Sequence, residues 1–513
     1  MRPVFYNFPM VSIVLSLVCA VISSVLRGRA ARTLSLFLCT AVAVLSACTL
    51  GYTVSCGEEL TYVMGRFPAP WGNEIRFGIV EPLIALSFSI VLLLCIVGGK
   101  KQLQRDIDTG KANLYYVMID LVQAALLTLS YTNDIFTAFV FVEICTISSS
   151  GLLMIRGLGR TTLASIRYLV FSLVGSGLFL IGCVLIYGVT GHLLMPFIKE
   201  QIAVLWATGQ YRLPLLMIVG LITMGLAIKS GMWPFHFWMP DTYSYTTPAS
   251  SGILSGLISK IYILLLLRFV FCVFGTEVFY ATGIAAVLFV CGLAGMLFGS
   301  LRAIRENHIM RMLAFSSAAQ IGYIYMGIGL SPALGVAAAV LHILCHAVTK
   351  PPLFLAAAEL TDAAGGSARF ADLQGAAYRA PMSAAVFLIG SLSMVGIPLL
   401  FGFITKFRFA AAAITGGGWM MLPALVMLAV STVLNTMYLL RTVLRIYSTR
   451  LEPEEHGPAR EAGEPPMAPE PVPHLHSGAC FAGATGVFCA LNVAFGVWSQ
   501  PLWDLLVRGL QLL

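Results

Sequence analysis

Apolar runs about as long as a bilayer's hydrocarbon core is thick recur along this chain from Met10 to Trp498. Of its 513 residues, 58% are hydrophobic and only 11% are Asp, Glu, Lys or Arg, with a mean hydropathy of +0.89. A soluble protein carries charge on about a quarter of its residues. So few charges cannot cover so much apolar side chain in water. The chain is therefore a polytopic membrane protein. That excludes a nucleic-acid binder, a secreted disulfide scaffold and a soluble enzyme with a membrane tail. The runs lack strand alternation, so they are helices and not barrel strands.

A window of about 19 residues predicts fourteen spans: Met10–Leu26, Thr33–Gly51, Ile79–Gly98, Asn113–Leu129, Ile135–Ile155, Leu163–Tyr187, Leu213–Trp233, Ser251–Cys272, Tyr280–Ser300, Ile309–Leu330, Ala333–Leu360, Ser383–Ala412, Met420–Tyr447 and Ala479–Trp498. They sort into N-terminal helices over 1–112, two helix groups over 113–272 and 280–447, a linker over 451–477, and a last helix with an amphipathic tail over 479–513. The first run is no signal peptide, because Arg27, Arg29 and Arg32 follow it and do not precede it.

The net charge of +8 resolves into topology. With the N-terminus outside, the loops after spans one, three, five, nine, eleven and thirteen, with the span ends beside them, carry 19 of the 31 Lys and Arg. The opposite side carries 7, and 5 lie within spans. The positive-inside rule then places both termini outside. The linker Leu451–Ser477 is Pro-rich and acidic, cannot build a core and falls in the cytoplasm. Its His474 and His476 give no metal pattern. Pro501 ends the last span, and Asp504 and Arg508 stand at i, i+4 in the tail.

The twelve Cys read as small buried hydrophobes. No C-x-x-C pair, P-loop, G-x-S-x-G elbow or dinucleotide fingerprint appears in usable context. The sequence thus offers no cofactor site. His342 and His346 have the spacing of two metal ligands on one helical turn, but H-I-L-C-H lacks the acid of H-E-x-x-H.

The informative residues are ionisable groups inside spans, where a charge costs about 2.5–3.5 kcal/mol. Glu143 lies in span five, Lys229 in span seven, Lys260 in span eight and Lys406 in span twelve. His342, His346 and Lys350 follow at i, i+4, i+8 on one face of span eleven. Glu143 beside Lys229 would offset one charge and leave three lysines without an acid. An amine suits a mobile proton, since burial disfavours its charged form and an approaching carboxylate restores it. Pro234 and Pro398 interrupt spans seven and twelve, five residues after Lys229 and eight before Lys406. Such breaks free carbonyls and admit water. Pro351 and Pro352 predict a further break in span eleven. Lys260 and Lys350 come out about 14 Å and 26 Å along their helices at 1.5 Å per residue. Groups at similar depth form a lateral row, not one straight pore.

The stretch KSGMWPFHFWMPDTYSYTTPASSGILSGLISK, with its K-x-x-x-x-P-F-H-x-W-x-P-D core, resembles the antiporter-like, proton-conducting subunits of respiratory complex I, Mrp-type sodium/proton antiporters and membrane-bound energy-converting hydrogenases. DIFTAFVFVEI, RMLAFSSAAQIGY, HILCHAVTKPPLFL and GIPLLFGFITKF extend the resemblance over about Phe67 to Tyr447. It implies an all-α fold of fourteen membrane helices, with two inverted five-helix repeats and broken helices seven and twelve. It also implies a proton path over Glu143, Lys229, Lys260, His342, His346, Lys350 and Lys406, with His342 and His236 the weaker matches. Partners would be other membrane subunits, protons, sodium in some branches, and the lipid of a bacterial or archaeal inner membrane. Nucleic acid is no partner. His308 and Met310 depart from the family pattern before span ten. The lateral helix of the largest paralogue is not present in the tail. FPAPWGNEIRFGIVEP looks more like the Mrp and hydrogenase branches.

The resemblance implies a proton-translocating subunit of a redox-driven or antiporter complex, without a redox centre of its own. The alternatives are a self-sufficient sodium/proton antiporter and a non-transporting scaffold for a peripheral enzyme. The buried lysines weigh against the scaffold.

Overall fold

The computed structural model describes residues 4–67, 72–448 and 477–512. Most of the acidic linker, with His474 and His476, lies outside them. Thirteen helices are long and apolar enough to cross a membrane among the described residues. In order, spans 1–11 are Val4–Val25, Gly28–Cys56, Val80–Gly98, Thr109–Tyr131, Ile135–Met154, Gly159–Thr190, Arg212–Tyr245, Pro248–Phe274, Ile284–Arg305, Ile309–Leu330 and Leu334–Ala363. Spans 13 and 14 are Gly418–Tyr447 and Ala479–Val497. Span 12 completes fourteen crossings as two shorter helices, Pro381–Val395 and Phe401–Gly416.

Both expected breaks are present. In span 7 the first helix ends at Ser230 on Gly231 (φ 76°), and Pro234 precedes a 3-10 turn, Phe235–Trp238, and a helix, Met239–Tyr245. In span 12 the first helix ends on Gly396 (φ 92°), a left-handed cap that only Gly adopts freely. The two breaks fall five spans apart. A five-crossing unit returns the chain to the opposite face, so a second unit following it is inverted.

Span 11 corrects the expected break. Its helix runs unbroken from Leu334 to Ala363 with Pro351 and Pro352 inside it. The facing helix supplies the room: a Cβ at Gly252 or Gly256 would come within 3.1 Å of the Pro351 ring. Burial among spans 3 and 8 holds the two proline turns in place.

Two local features carry no apolar signal. Span 8 contains π-helical turns at Leu254–Ile258 and Val270–Phe274. Between spans 2 and 3, Leu60–Val63 and Glu74–Phe77 form an antiparallel hairpin, whose β-branched and aromatic residues suit a strand outside the bilayer. The tail forms a helix, Ser499–Gln511, in which Asp504 accepts from Gln500 at 2.8 Å, where Arg508 was the expected partner.

The core is densest around spans 8, 10 and 11. Spans 9 and 10 approach backbone to backbone: a Cβ on Gly292 would collide with the Met326 backbone nitrogen. Small residues allow this where lipid gives no hydrophobic drive. Spans 8, 10 and 11 thereby become the protected interior in which charged groups lie.

Candidate functional site

The bundle carries all seven expected groups deep inside or at its margin. Lys229, Lys260, His342, His346 and Lys350 are buried, and Lys406 is partly buried. Glu143 is also only partly buried, so the row has its two open members at its ends.

At the first end, Lys229 Nζ donates to Thr146 Oγ1 at 2.7 Å and lies 3.8 Å from Glu143 Oε1. Thr146 stands three residues after Glu143 on span 5, so one helical face presents both acceptors. Next to Lys229, Ser230 Oγ lies 2.7 Å from the Tyr325 hydroxyl of span 10. Tyr262, on span 8, places its ring 5.3 Å from Lys229 Nζ, and its buried hydroxyl has no hydrogen-bond partner. It stands between this cluster and the next.

The second cluster joins Lys260 and Lys350. The π turn of span 8 leaves the Ser255 carbonyl free for Lys260 Nζ, which donates to it at 2.6 Å and to Ser259 Oγ at 3.0 Å. Ser255 Oγ lies 2.8 Å from Ser317 Oγ, and Ser317 donates to the Leu313 carbonyl. The same carbonyl accepts from Lys350 Nζ at 3.1 Å, and Ser316 Oγ accepts from it at 2.7 Å. Span 8 thus holds Lys260 and one turn of span 10 holds Lys350, and the Ser255–Ser317 contact joins the two. His346 is fully buried, and neither ring nitrogen has a hydrogen-bond partner.

The network continues to the other end. The Tyr438 hydroxyl lies 2.9 Å from Ser316 Oγ and donates to Asn435 Oδ1 at 2.7 Å. Tyr323 follows, bonded to Ser431 Oγ at 2.9 Å, with its ring 5.6 Å from Lys406 Nζ. Lys406 donates to the Val395 carbonyl at 2.7 Å and to Thr432 Oγ1 at 3.0 Å. The broken helix frees the Val395 carbonyl for this purpose. A Cβ on Gly396 would press on the Lys406 side chain at 3.0 Å. His342 bridges Gln320 (3.1 Å) and Thr405 (3.0 Å) beside it. His236 is buried away from this row, stacked on Phe237.

Lys260, Lys350 and Lys406 make no ion pair among the described residues; their partners are hydroxyls and carbonyls. Thr146, Ser255, Ser316, Tyr323, Asn435 and Tyr438 are not marked in the sequence, because uncharged polar residues are common in membrane helices. A buried pair also stands apart. Arg268 Nη1 donates to Glu81 Oε1 at 2.9 Å and to the Ser130 carbonyl, both side chains being 5% exposed. Sequence counting places Arg268 with the outer charges; the structure seals it inside.

At the end rich in Lys and Arg, a cavity of about 330 Å³ opens among Arg105, Asp106, Arg156, Ser244, Thr246 and His308. From it a buried stripe starts at Thr247, the N-cap of span 8, and runs along Ser250, Ser251, Ser255 and Ser259 to Lys260. Burial, and then the charges of Arg311 and Arg369, push the His308 imidazole down to about 4.

The profile of the family described as NADH:quinone oxidoreductase/Mrp antiporter, transmembrane, matches residues 132–434. The chain is 32% identical over 441 residues to NADH-quinone oxidoreductase subunit N of Desulforudis audaxviator, covering 84% of each chain. It is 28% identical over 351 residues to a Na(+)/H(+) antiporter subunit of Alkalihalophilus pseudofirmus, covering 68% of this chain and 69% of that one. In the solved structure of the Mrp complex from Dietzia sp. DQ12-45-1b, one chain superposes with a TM-score of 0.82 at 25% identity, covering 99% of this chain and 97% of that one.

Proposed function

Since this chain belongs to the NADH:quinone oxidoreductase/Mrp antiporter family of membrane subunits, we propose that it translocates protons as one subunit of a multisubunit membrane complex. The observation that carries this reading is the bonding of Lys260 to span 8 and of Lys350 to span 10, joined through Ser255 and Ser317, without an acid beside either lysine. Two lysines bonded only to hydroxyls and carbonyls can exchange a proton without breaking an ion pair. Glu143 modulates Lys229 at one end, and Lys406 hands protons on at the other. The Thr and Ser stripe of span 8 feeds the row from the cavity at the basic end.

In this reading the basic end faces the cytoplasm, both termini lie outside, and the membrane is a bacterial inner membrane. The relatives include subunits from both a quinone oxidoreductase and a sodium/proton antiporter, and the row suits either assembly. The transported ion is the proton, because the interior row is built from amines and imidazoles and not from carboxylates. Vesicles holding the complete complex should pump, and vesicles holding this chain alone should not. Equal transport by the chain alone would favour a self-sufficient antiporter. Orientation has its own check. The exposed Cys56, next to the hairpin, should react with an impermeant maleimide from outside intact cells. A Cys placed in the linker should not.

A further inference from the structure

Asp120 lies in span 4, about 12 Å from the start of its helix at Ala112 on a rise of 1.5 Å per residue. It is fully buried in the seam between spans 1, 2 and 4 and is bonded to no member of the described row. Its Oδ2 accepts from Ser23 Oγ of span 1 at 2.7 Å, and its Oδ1 has no partner. No Lys, Arg or His pairs with it among the described residues. On span 2, the Ser35 hydroxyl faces the carboxyl, buried and without a formed hydrogen bond. Cys19 and Cys39 complete the surroundings, and Gln123 on span 4 donates to Ser89 at 2.7 Å. Tyr116, one turn toward the basic end, lies within reach of the Arg32 charge.

A carboxylate sealed in this way with one donor is strongly disfavoured unless a cation neutralises it. A hard metal ion needs more than this seam offers. A calcium site takes about six to eight oxygens, whereas the side chains here are one carboxyl and two hydroxyls, and the sulfurs beside them suit soft metals. One proton suffices. Placed on Oδ1, it donates to Ser35 Oγ, and both unpartnered atoms are satisfied by a single bond. We propose that Asp120 is a proton-binding site of its own, separate from the Glu143–Lys406 row and filled from the basic end past Tyr116 and Arg32. The step is a plain exchange: a proton arrives from water, the carboxylate becomes a carboxylic acid, and release reverses it. Asn at this position would satisfy the same seam without taking up a proton.

The test is infrared difference spectroscopy on the complete complex, acid against alkaline. We expect a protonated-carboxyl C=O band that is lost at alkaline pH, absent in Asp120→Asn and retained in Glu143→Gln. If Asp120→Asn fails to assemble, Asp120→Glu should shift the band. A spectrum unchanged by either variant overturns the proposal. So does a band that persists at every pH, which marks a fixed structural acid. Loss of the band on adding sodium at constant pH also overturns it, by identifying a metal-ion site. Because the readout is the carboxyl itself, it stands or falls independently of pumping through the lysine row.

Discussion

Glu143 and Lys229 form an ion pair of unequal members: the lysine side chain is sealed, the carboxylate is 25% exposed, and 3.8 Å separates Oε1 from Nζ. The shorter bond of Lys229 is to Thr146. The acid can therefore respond to its surroundings while the lysine cannot leave. Removing the charge should matter more than removing the hydroxyl. Glu143→Gln is expected to abolish most coupled pumping. Thr146→Val, which deletes a neutral acceptor worth about 0.5–1.5 kcal/mol, should slow pumping by roughly two- to tenfold. Initial rates in inverted vesicles separate the two. Equal rates for both variants would deny the carboxylate its role.

The Glu81–Arg268 pair makes a prediction about stability. Removing one partner of a buried pair leaves an unpaired charge, at a cost of about 3–5 kcal/mol. Arg268→Met should therefore lower the thermal stability or the assembled yield of the complex sharply. Adding Glu81→Leu to the same chain should restore much of it. A double variant as unstable as the single one would show that packing, and not charge, decides.

His308 predicts a pH response at the basic end. Its imidazole titrates at about 4 in the fold against an ordinary 6.5, held down by burial, Arg311 and Arg369. The folded state thus binds fewer protons than the opened loop. Local stability is full above about 6.5 and is lost as pH falls toward 4. The acids facing His308 from the same end, Glu306 and Asp241, are paired with Arg311. Hydrogen exchange of Glu306–Arg311 should quicken as pH is lowered through that window, after correction for intrinsic rates. His308→Gln should flatten the response. An equal response in that variant would contradict the assignment.

The crossings and most of the ionisable groups were legible because a charge in an apolar run stands out. Both helix breaks followed from Pro beside Lys229 and before Lys406. Span 11 did not break, because whether a proline turn survives depends on Gly252 and Gly256 of another helix. The bonding partners Tyr323, Asn435 and Tyr438 were illegible for a related reason: a hydroxyl in a membrane helix has no preferred partner until the helices pack. Asp120 carries the same signal as Glu143, a carboxylate eight residues into a helix. What distinguishes it is the Ser23 and Ser35 seam, which only the packing of spans 1 and 2 supplies. Arg268 sits near a span end, so hydropathy counts it with the outer loops, while its ion pair draws it inside.

The most direct test of proton movement through the interior row is pumping by the complete complex in vesicles with Lys229→Ala and Lys229→Arg. Both variants should assemble. Both should lose coupled pumping, the Ala variant for want of a titrating group and the Arg variant because its guanidinium keeps its proton at any working pH. Full pumping by Lys229→Arg would contradict the account, since a residue that never releases its proton cannot carry one.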